Sequence, residues 1–227
     1  MISEDNLLSL YIAVAEEFKV RVSAINFALG GAMAQLPAAD SIAAEFCYLQ
    51  LRMMCELIAL GCLIAHGDIQ GASTSKILKE YSAERILKML SELEPQFFPY
   101  PTSRRRDPNK HNGWLICGPR NADYTTKEEL IALYRRTGEY LHRGSLKNFA
   151  PLGRVSENEL QEITKAGQRL IHLMNEHSII LVGGRRVLIC ALSQAELGGA
   201  AKVDLIATNP NSPTLFARPA DGSGRGL

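Results

Sequence analysis

The sequence predicts a mainly α protein: an antiparallel helical bundle with long amphipathic helices, plus a small C-terminal antiparallel β hairpin or three-stranded meander. Apolar residues recur at helical spacing through the first 65 positions, and capping boxes precede two later helical segments. Two β-rich runs also flank a Gly-Gly pair. We expect residues 1–177 to form the helical domain, 178–208 to be strands appended to that domain, and 209–227 to form a flexible tail.

The N-terminal part is predicted to be a helical hairpin. An apolar stripe repeats every three or four positions within residues 5–34 and ends at a pair of glycines. A second stripe follows Asp40 and Ser41, which are favoured N-cap residue types, and runs to about Ala65. The short break between the stripes favours antiparallel packing. A third helix is expected over about residues 74–94.

Several features predict a cytoplasmic protein that does not span a membrane. The longest apolar run, residues 57–65, is much shorter than the roughly 20 residues that a membrane span needs, so we interpret it as part of a buried core helix. The first five residues include two acidic ones, Glu4 and Asp5, and no basic one, whereas a secretory signal would be basic. The five cysteines form no CxxC pair, which favours free thiols in a reducing compartment.

The net charge of +1 hides an uneven distribution along the chain. Residues 1–100 carry 7 basic and 12 acidic groups, a net charge of −5, whereas residues 101–154 carry 11 basic and 5 acidic groups, a net charge of +6. The total excludes a globally basic coat protein. The middle segment can still hold a localised phosphate-binding site.

A segment rich in proline and arginine, residues 95–124, is predicted to be a loop of about thirty residues, a length typical of functional or disordered loops. Its cations and its one tryptophan combine phosphate-binding charge with an aromatic ring that can stack on a base. With one cation from the following helix, the candidate nucleic-acid-binding residues are Arg104, Arg105, Arg106, Lys110, Trp114 and Arg143.

The next helix, predicted over residues 126–143, carries the candidate catalytic residues. Arg135, Glu139 and His142 stand at i, i+4 and i+7 and therefore share one face. An arginine fork can bind a phosphodiester, an imidazole can move a proton near neutral pH, and the carboxylate can orient either group. The structural alternative is a His142 that caps the helix and an ordinary surface pair between Arg135 and Glu139.

An arginine followed after four to six residues by a histidine, on a late helix of an all-α domain, resembles the R-x(4–6)-H signature of the HEPN superfamily. Arg135 gives six intervening residues before His142 and Arg136 gives five, so both arginines fit. Residues 51–60, in a long second helix, also resemble the early helix of the family. The resemblance covers roughly residues 1–177.

The resemblance implies a metal-independent endoribonuclease of the kind found in toxin–antitoxin and phage-defence systems, with RNA as substrate and no cofactor. His142 would act as general acid or base, Arg135 or Arg136 would hold the scissile phosphate, and two copies would form a homodimer around a composite site. The residue after the motif arginine and Gly144 both depart from the family pattern. A degenerate relative that binds RNA without cleaving it is therefore also consistent with the resemblance.

A function without catalysis is the alternative. The helix over residues 126–143 would then be a dimerisation or partner surface for another protein, and the β hairpin would offer an edge for strand addition. The sequence contains no HExxH, no GxxxxGK[ST] and no GxSxG, the motifs of zinc hydrolases, P-loop NTPases and serine hydrolases. These three enzyme classes are therefore not predicted. We predict no metal site.

Overall fold

The computed structural model describes residues 4–67, 80–106, 114–119, 123–141, 156–181 and 186–207. This part of the chain contains five α-helices and two small antiparallel sheets, which confirms the predicted mainly α class with a C-terminal meander. The helices are α1 (Glu4–Phe27), α2 (Ala39–Ala65), α3 (Ala83–Leu93), α4 (Lys127–Leu141) and α5 (Glu157–Met174). The strands are β1 (Tyr100–Pro101), β2 (Ser103–Arg106), β3 (Trp114–Cys117), β4 (Glu176–Ile180), β5 (Arg186–Ala191) and β6 (Lys202–Ala207). The predicted tail lies outside the described residues.

The predicted hairpin is formed by α1 and α2, but its turn differs from the expectation. A π-helical turn, Ala28–Ala32, follows α1, and Gly31 adopts a φ of 83° that glycine accommodates without strain. The residue before α2 is Ala38, in the left-handed region at a φ of 52°. Asp40 therefore lies inside the first turn of α2, and its prediction as an N-cap is wrong because the chain enters the helix two residues earlier.

The second helix, α2, is the central element of the core and contacts all four other helices. By length and composition it could cross a membrane, but 72% of its most apolar window is buried inside the protein. The interpretation of its apolar run as a buried core helix is confirmed. A helix apolar on most sides is expected where neighbours cover it all round.

Two capping boxes define the helix starts that flank the candidate site. The Thr126 N–H donates to the Glu129 carboxylate across 2.9 Å, and the Glu129 N–H donates to the Thr126 hydroxyl across 3.3 Å. Ser156 accepts from the Glu159 N–H across 3.2 Å at the start of α5. Both predicted helix starts are confirmed.

The meander β4–β5–β6 is confirmed, and β1 extends it to a four-stranded sheet in the order β1-β4-β5-β6. One face of this sheet packs against the helical core, and Ile180, Val187 and Ile189 form a small cluster on the other face. Strands β2 and β3 pair with each other to form a separate two-stranded ribbon, and Ile116 of this β2–β3 ribbon packs against that cluster. The prediction of one loop over residues 95–124 is therefore wrong, because β1 pairs with the distant strand β4, and β2 and β3 pair with each other within the segment.

Tyr11 of α1 and His177 of β4 form a hydrogen bond in the middle of the core, where both side chains are fully buried. The Nδ1 atom of His177 lies 2.9 Å from the carbonyl oxygen of Met174, so Nδ1 carries a proton and donates it. The Tyr11 hydroxyl therefore donates to Nε2 across 2.6 Å. Burial raises the pKa of Tyr11 well above its usual value, which keeps the hydroxyl a donor.

We expect Tyr11→Phe to lower the free energy of unfolding by about 1–3 kcal/mol, because it removes a hydrogen bond from a buried ring nitrogen. Urea unfolding followed by circular dichroism measures this change. Tyr81→Phe is the control, since the Tyr81 side chain is 84% exposed, and we expect it to change stability by less than about 0.5 kcal/mol. Equal stability of Tyr11→Phe and the wild type would contradict the prediction.

Candidate functional site

The candidate site is built on α4, which presents one face to the core and its charged residues to solvent. Leu130, Tyr134 and Thr137 are buried. Arg135, Arg136 and Glu139 are exposed on the remaining surface of the helix. The helix is therefore amphipathic, with its charged residues on the side that faces solvent.

Arg52 of α2 contacts α4 through Tyr134. Its guanidinium lies 4.0 Å from the centroid of the Tyr134 ring, and it donates to the Tyr134 hydroxyl across 2.6 Å and to the Tyr134 carbonyl oxygen across 3.3 Å. A Cβ atom at Gly138 would lie only 2.9 Å from Nη1 of Arg52, so glycine permits this approach. Sequence analysis missed this role of Arg52. The available signal was a glycine inside a helical pattern, which often marks a close approach.

Arg135 is the more exposed of the two candidate arginines, with 62% of its side chain accessible. Its guanidinium reaches across to α3, where Nε donates to Oε2 of Glu84 across 2.9 Å and Nη2 donates to Oε1 of the same carboxylate. The two donors and two acceptors form a fork, the geometry with which arginine also binds phosphate. Arg135 is thus oriented for bidentate anion binding at the protein surface.

Arg136 points to another part of the molecule and pairs with Glu162 of α5. It also donates to the Tyr48 hydroxyl across 3.3 Å, and the Tyr48 ring stacks on Tyr140 with 4.0 Å between centroids. Burial, followed by the nearby carboxylate of Glu159, raises the pKa of Tyr140 to about 12. Arg136 is therefore held by Glu162 and Tyr48 on the side of α4 that faces α5.

The two candidate arginines are therefore separated by the fold, although they are adjacent in sequence. Glu139 lies on the exposed surface of α4, one helical turn beyond Arg135. His142, Arg143 and Lys110 lie outside the described residues, so their predicted roles stay predictions. Of the predicted catalytic set, the structure places Arg135 and Glu139 on one side of α4 and directs Arg136 to another.

The predicted nucleic-acid-binding residues fall on the β2–β3 ribbon. Arg104 forms an ion pair with Glu176 of β4 and has only 17% of its side chain exposed. This ion pair joins the ribbon to the sheet, and the role of Arg104 in binding nucleic acid stays a prediction. In the ribbon register Arg106 stands opposite Trp114, and Arg105 stands one position before Arg106. The side chains of these three residues lie outside the described part of the structure.

A cavity of about 310 Å³ lies between β1 and the end of α5. Thr102, His172, Asn175 and Glu176 supply its polar lining, and none of its lining residues belongs to α4. Nδ1 of His172 donates to the carbonyl oxygen of Asp123 across 2.8 Å, which leaves the lone pair of a neutral ring on Nε2. Sequence analysis assigned no function to this histidine.

Within the described ranges, no group of three or more His, Cys, Asp or Glu residues is arranged to hold a metal ion. Comparisons with protein-family models, with curated proteins and with solved structures give no match to this chain.

Proposed function

We propose that the chain is an HEPN-like, metal-independent endoribonuclease, or a degenerate relative that binds RNA without cleaving it. It would act in the cytoplasm as a homodimer, in a toxin–antitoxin or phage-defence setting. In this proposal Arg135 holds the scissile phosphate, His142 transfers a proton, and Glu139 orients one of the two. No cofactor takes part.

One observation carries the choice of Arg135 over Arg136. The Arg135 guanidinium is exposed and oriented as a two-donor fork, whereas Arg136 is directed toward Tyr48 and the carboxylates of α5. In a regular helix, positions 135 and 142 differ by only about 20° around the axis, because seven residues make almost two turns. Positions 136 and 142 differ by about 120°. The spacing therefore favours Arg135 as the partner of His142.

The proposed reaction is attack of a ribose 2′-hydroxyl on the adjacent phosphorus. His142 accepts the proton of the 2′-hydroxyl as the new oxygen–phosphorus bond forms, and the bond to the 5′ oxygen breaks. The departing 5′ oxygen takes a proton from water or from the equivalent imidazole of a second copy. The products are a 2′,3′-cyclic phosphate and a free 5′-hydroxyl, and Arg135 stabilises the charge that develops on the phosphate.

The test is incubation of the full chain with varied single-stranded and hairpin RNAs in EDTA. We expect cleavage that leaves 2′,3′-cyclic phosphate ends. A matched RNA with one 2′-deoxynucleotide at the cleaved position should resist cleavage there, because the nucleophile is missing. Salt-sensitive RNA binding without cleavage would identify the degenerate relative. Neither binding nor cleavage across the set, or cleavage at the deoxynucleotide, would overturn the proposal.

A second candidate function is a non-enzymatic interaction module, a dimerising partner or regulatory subunit of another protein. Leu10, Val20 and Phe27 are exposed large apolar side chains on α1, which a protein partner could cover. In the described sheet β6 has only β5 as a neighbour, so its other edge is open to strand addition. This function predicts association with a protein and no RNA-dependent property.

A further inference from the structure

Helix α3 contributes a group of charged residues beside Arg135 that sequence analysis did not connect with the candidate site. Glu84 lies in its first turn and accepts both hydrogen bonds from the Arg135 fork. Arg85 follows directly and Lys88 lies one turn later, and both side chains are exposed. α3 and α4 thus bring three cations together around one carboxylate.

The electrostatics of Glu84 show that these cations act on it together. The hydrogen bond from Arg135 lowers the pKa of the Glu84 carboxyl, and the charges of Arg135, Arg85 and Lys88 lower it further. Glu84 is therefore ionised at neutral pH and sits in a positive field. Arg85 also contacts Glu80 at 3.5 Å, a long contact that leaves 73% of its side chain exposed.

We propose that Glu84 occupies the position of a phosphate on Arg135, and that Arg135, Arg85 and Lys88 form a surface on which an RNA backbone displaces it. We call these three cations the α3–α4 phosphate surface. The inference rests on the proposed function and adds to it a contact surface and a residue that competes with the substrate. Glu84 has two effects on Arg135: it keeps the fork extended, and it weakens phosphate binding.

Displacement of Glu84 is feasible because the pair lies at the surface. Exposed ion pairs of this kind contribute little, so losing one changes an equilibrium by about fivefold at most. A phosphodiester offers the same two acceptor positions as a carboxylate, and on this surface it also gains the attraction of Arg85 and Lys88. The exchange replaces one bidentate anion with another.

The chain supplies a matched control. Glu84 and Glu162 are both exposed carboxylates that pair an arginine of α4 with a neighbouring helix, Glu84 with Arg135 and Glu162 with Arg136. We would measure binding of the full chain to a fluorescent 2′-O-methyl RNA, which cannot be cleaved, by anisotropy over a salt series. We expect Glu84→Gln to bind about two- to fivefold tighter than the wild type and Glu162→Gln to bind as the wild type does.

Lys88→Gln provides a second, independent readout. It should weaken binding at low salt. It should also make the slope of log affinity against log salt shallower, by the amount expected from the loss of about one phosphate contact. Unchanged or weaker binding by Glu84→Gln would overturn the inference, and so would an equal gain in Glu162→Gln. If Lys88→Gln showed the same salt slope as the wild type, Lys88 would not be part of the α3–α4 phosphate surface.

Inorganic polyphosphate as a second probe separates this inference from the proposed function. If Glu84→Gln binds polyphosphate more tightly while no variant binds RNA, the phosphate surface stands and the RNA function falls. If the wild type cleaves RNA but Glu84→Gln binds both probes as the wild type does, the function stands and the role of Glu84 falls. If no variant binds either probe, both are overturned.

Discussion

Replacing His142 with alanine should lower the rate of RNA cleavage in EDTA by about 10²- to 10⁴-fold, the range that general acid–base catalysis contributes. The substitution removes the group that takes the proton of the 2′-hydroxyl, while Arg135 and the α3–α4 phosphate surface remain. Binding of the non-cleavable RNA should therefore change by less than about threefold. Initial cleavage rates at saturating and limiting RNA measure the effect and separate it from binding.

The matched control for this variant is His172→Ala. His172 is a partly exposed histidine near the end of α5, where it donates to the Asp123 carbonyl oxygen. We expect it to cleave RNA at the wild-type rate. Equal activity of His142→Ala and the wild type would show that His142 is not catalytic, and circular dichroism of each variant shows whether the fold is retained.

Arg135→Ala should lower RNA cleavage by about 10²- to 10³-fold, the usual effect of removing one preorganised donor to a developing negative charge. Arg136→Ala should lower it by less than about threefold, because Arg136 is held by Glu162 and Tyr48 on another side of α4. Arg135→Lys keeps the charge but loses the fork, so we expect an intermediate rate. Parallel rate measurements on the three variants decide which arginine belongs to the motif.

A larger loss of cleavage in Arg136→Ala than in Arg135→Ala would assign the motif to Arg136. If Arg136→Ala abolishes cleavage and Arg135→Ala does not, Arg136 is the phosphate-binding residue and the α3–α4 phosphate surface has no catalytic neighbour. Arg136→Ala also removes a contact to the Tyr48–Tyr140 stack, so its thermal unfolding must be compared with that of the wild type. A loss of activity that tracks a loss of folded protein would not support a catalytic role.

The helical hairpin, the helix over Lys127–Leu141 and the meander could all be predicted because their signals are local. Apolar spacing and the Thr126 capping box each act within a few residues, and the structure confirms the helix that they predict. The Gly-Gly pair lies outside the described residues, but the strands on its two sides pair as predicted. The turn before α2 and the strands within residues 95–124 could not be predicted in this way. β1 depends on its pairing with β4, far along the chain, and β2 and β3 depend on their pairing with each other.

The positive segment illustrates the same division. Along the chain, residues 101–154 carry a net charge of +6, and this count directed attention to their arginines. In the fold, three of those arginines pair with glutamates from outside the segment: Arg104 with Glu176, Arg135 with Glu84, and Arg136 with Glu162. These three cations of the segment are therefore compensated by carboxylates that the fold brings to them.

By itself, the sequence determined the fold class, the helix that carries the Arg/His spacing, and the set of candidate residues. Only the tertiary structure decided that Arg135 is exposed beside α3, that Arg136 faces α5, and that Arg104 pairs with Glu176 of β4. The physical reason is the separation along the chain over which each kind of interaction acts. Helical periodicity is set by neighbours three or four positions away, whereas these ion pairs join residues 51, 26 and 72 positions apart, which only the packing of the elements brings together.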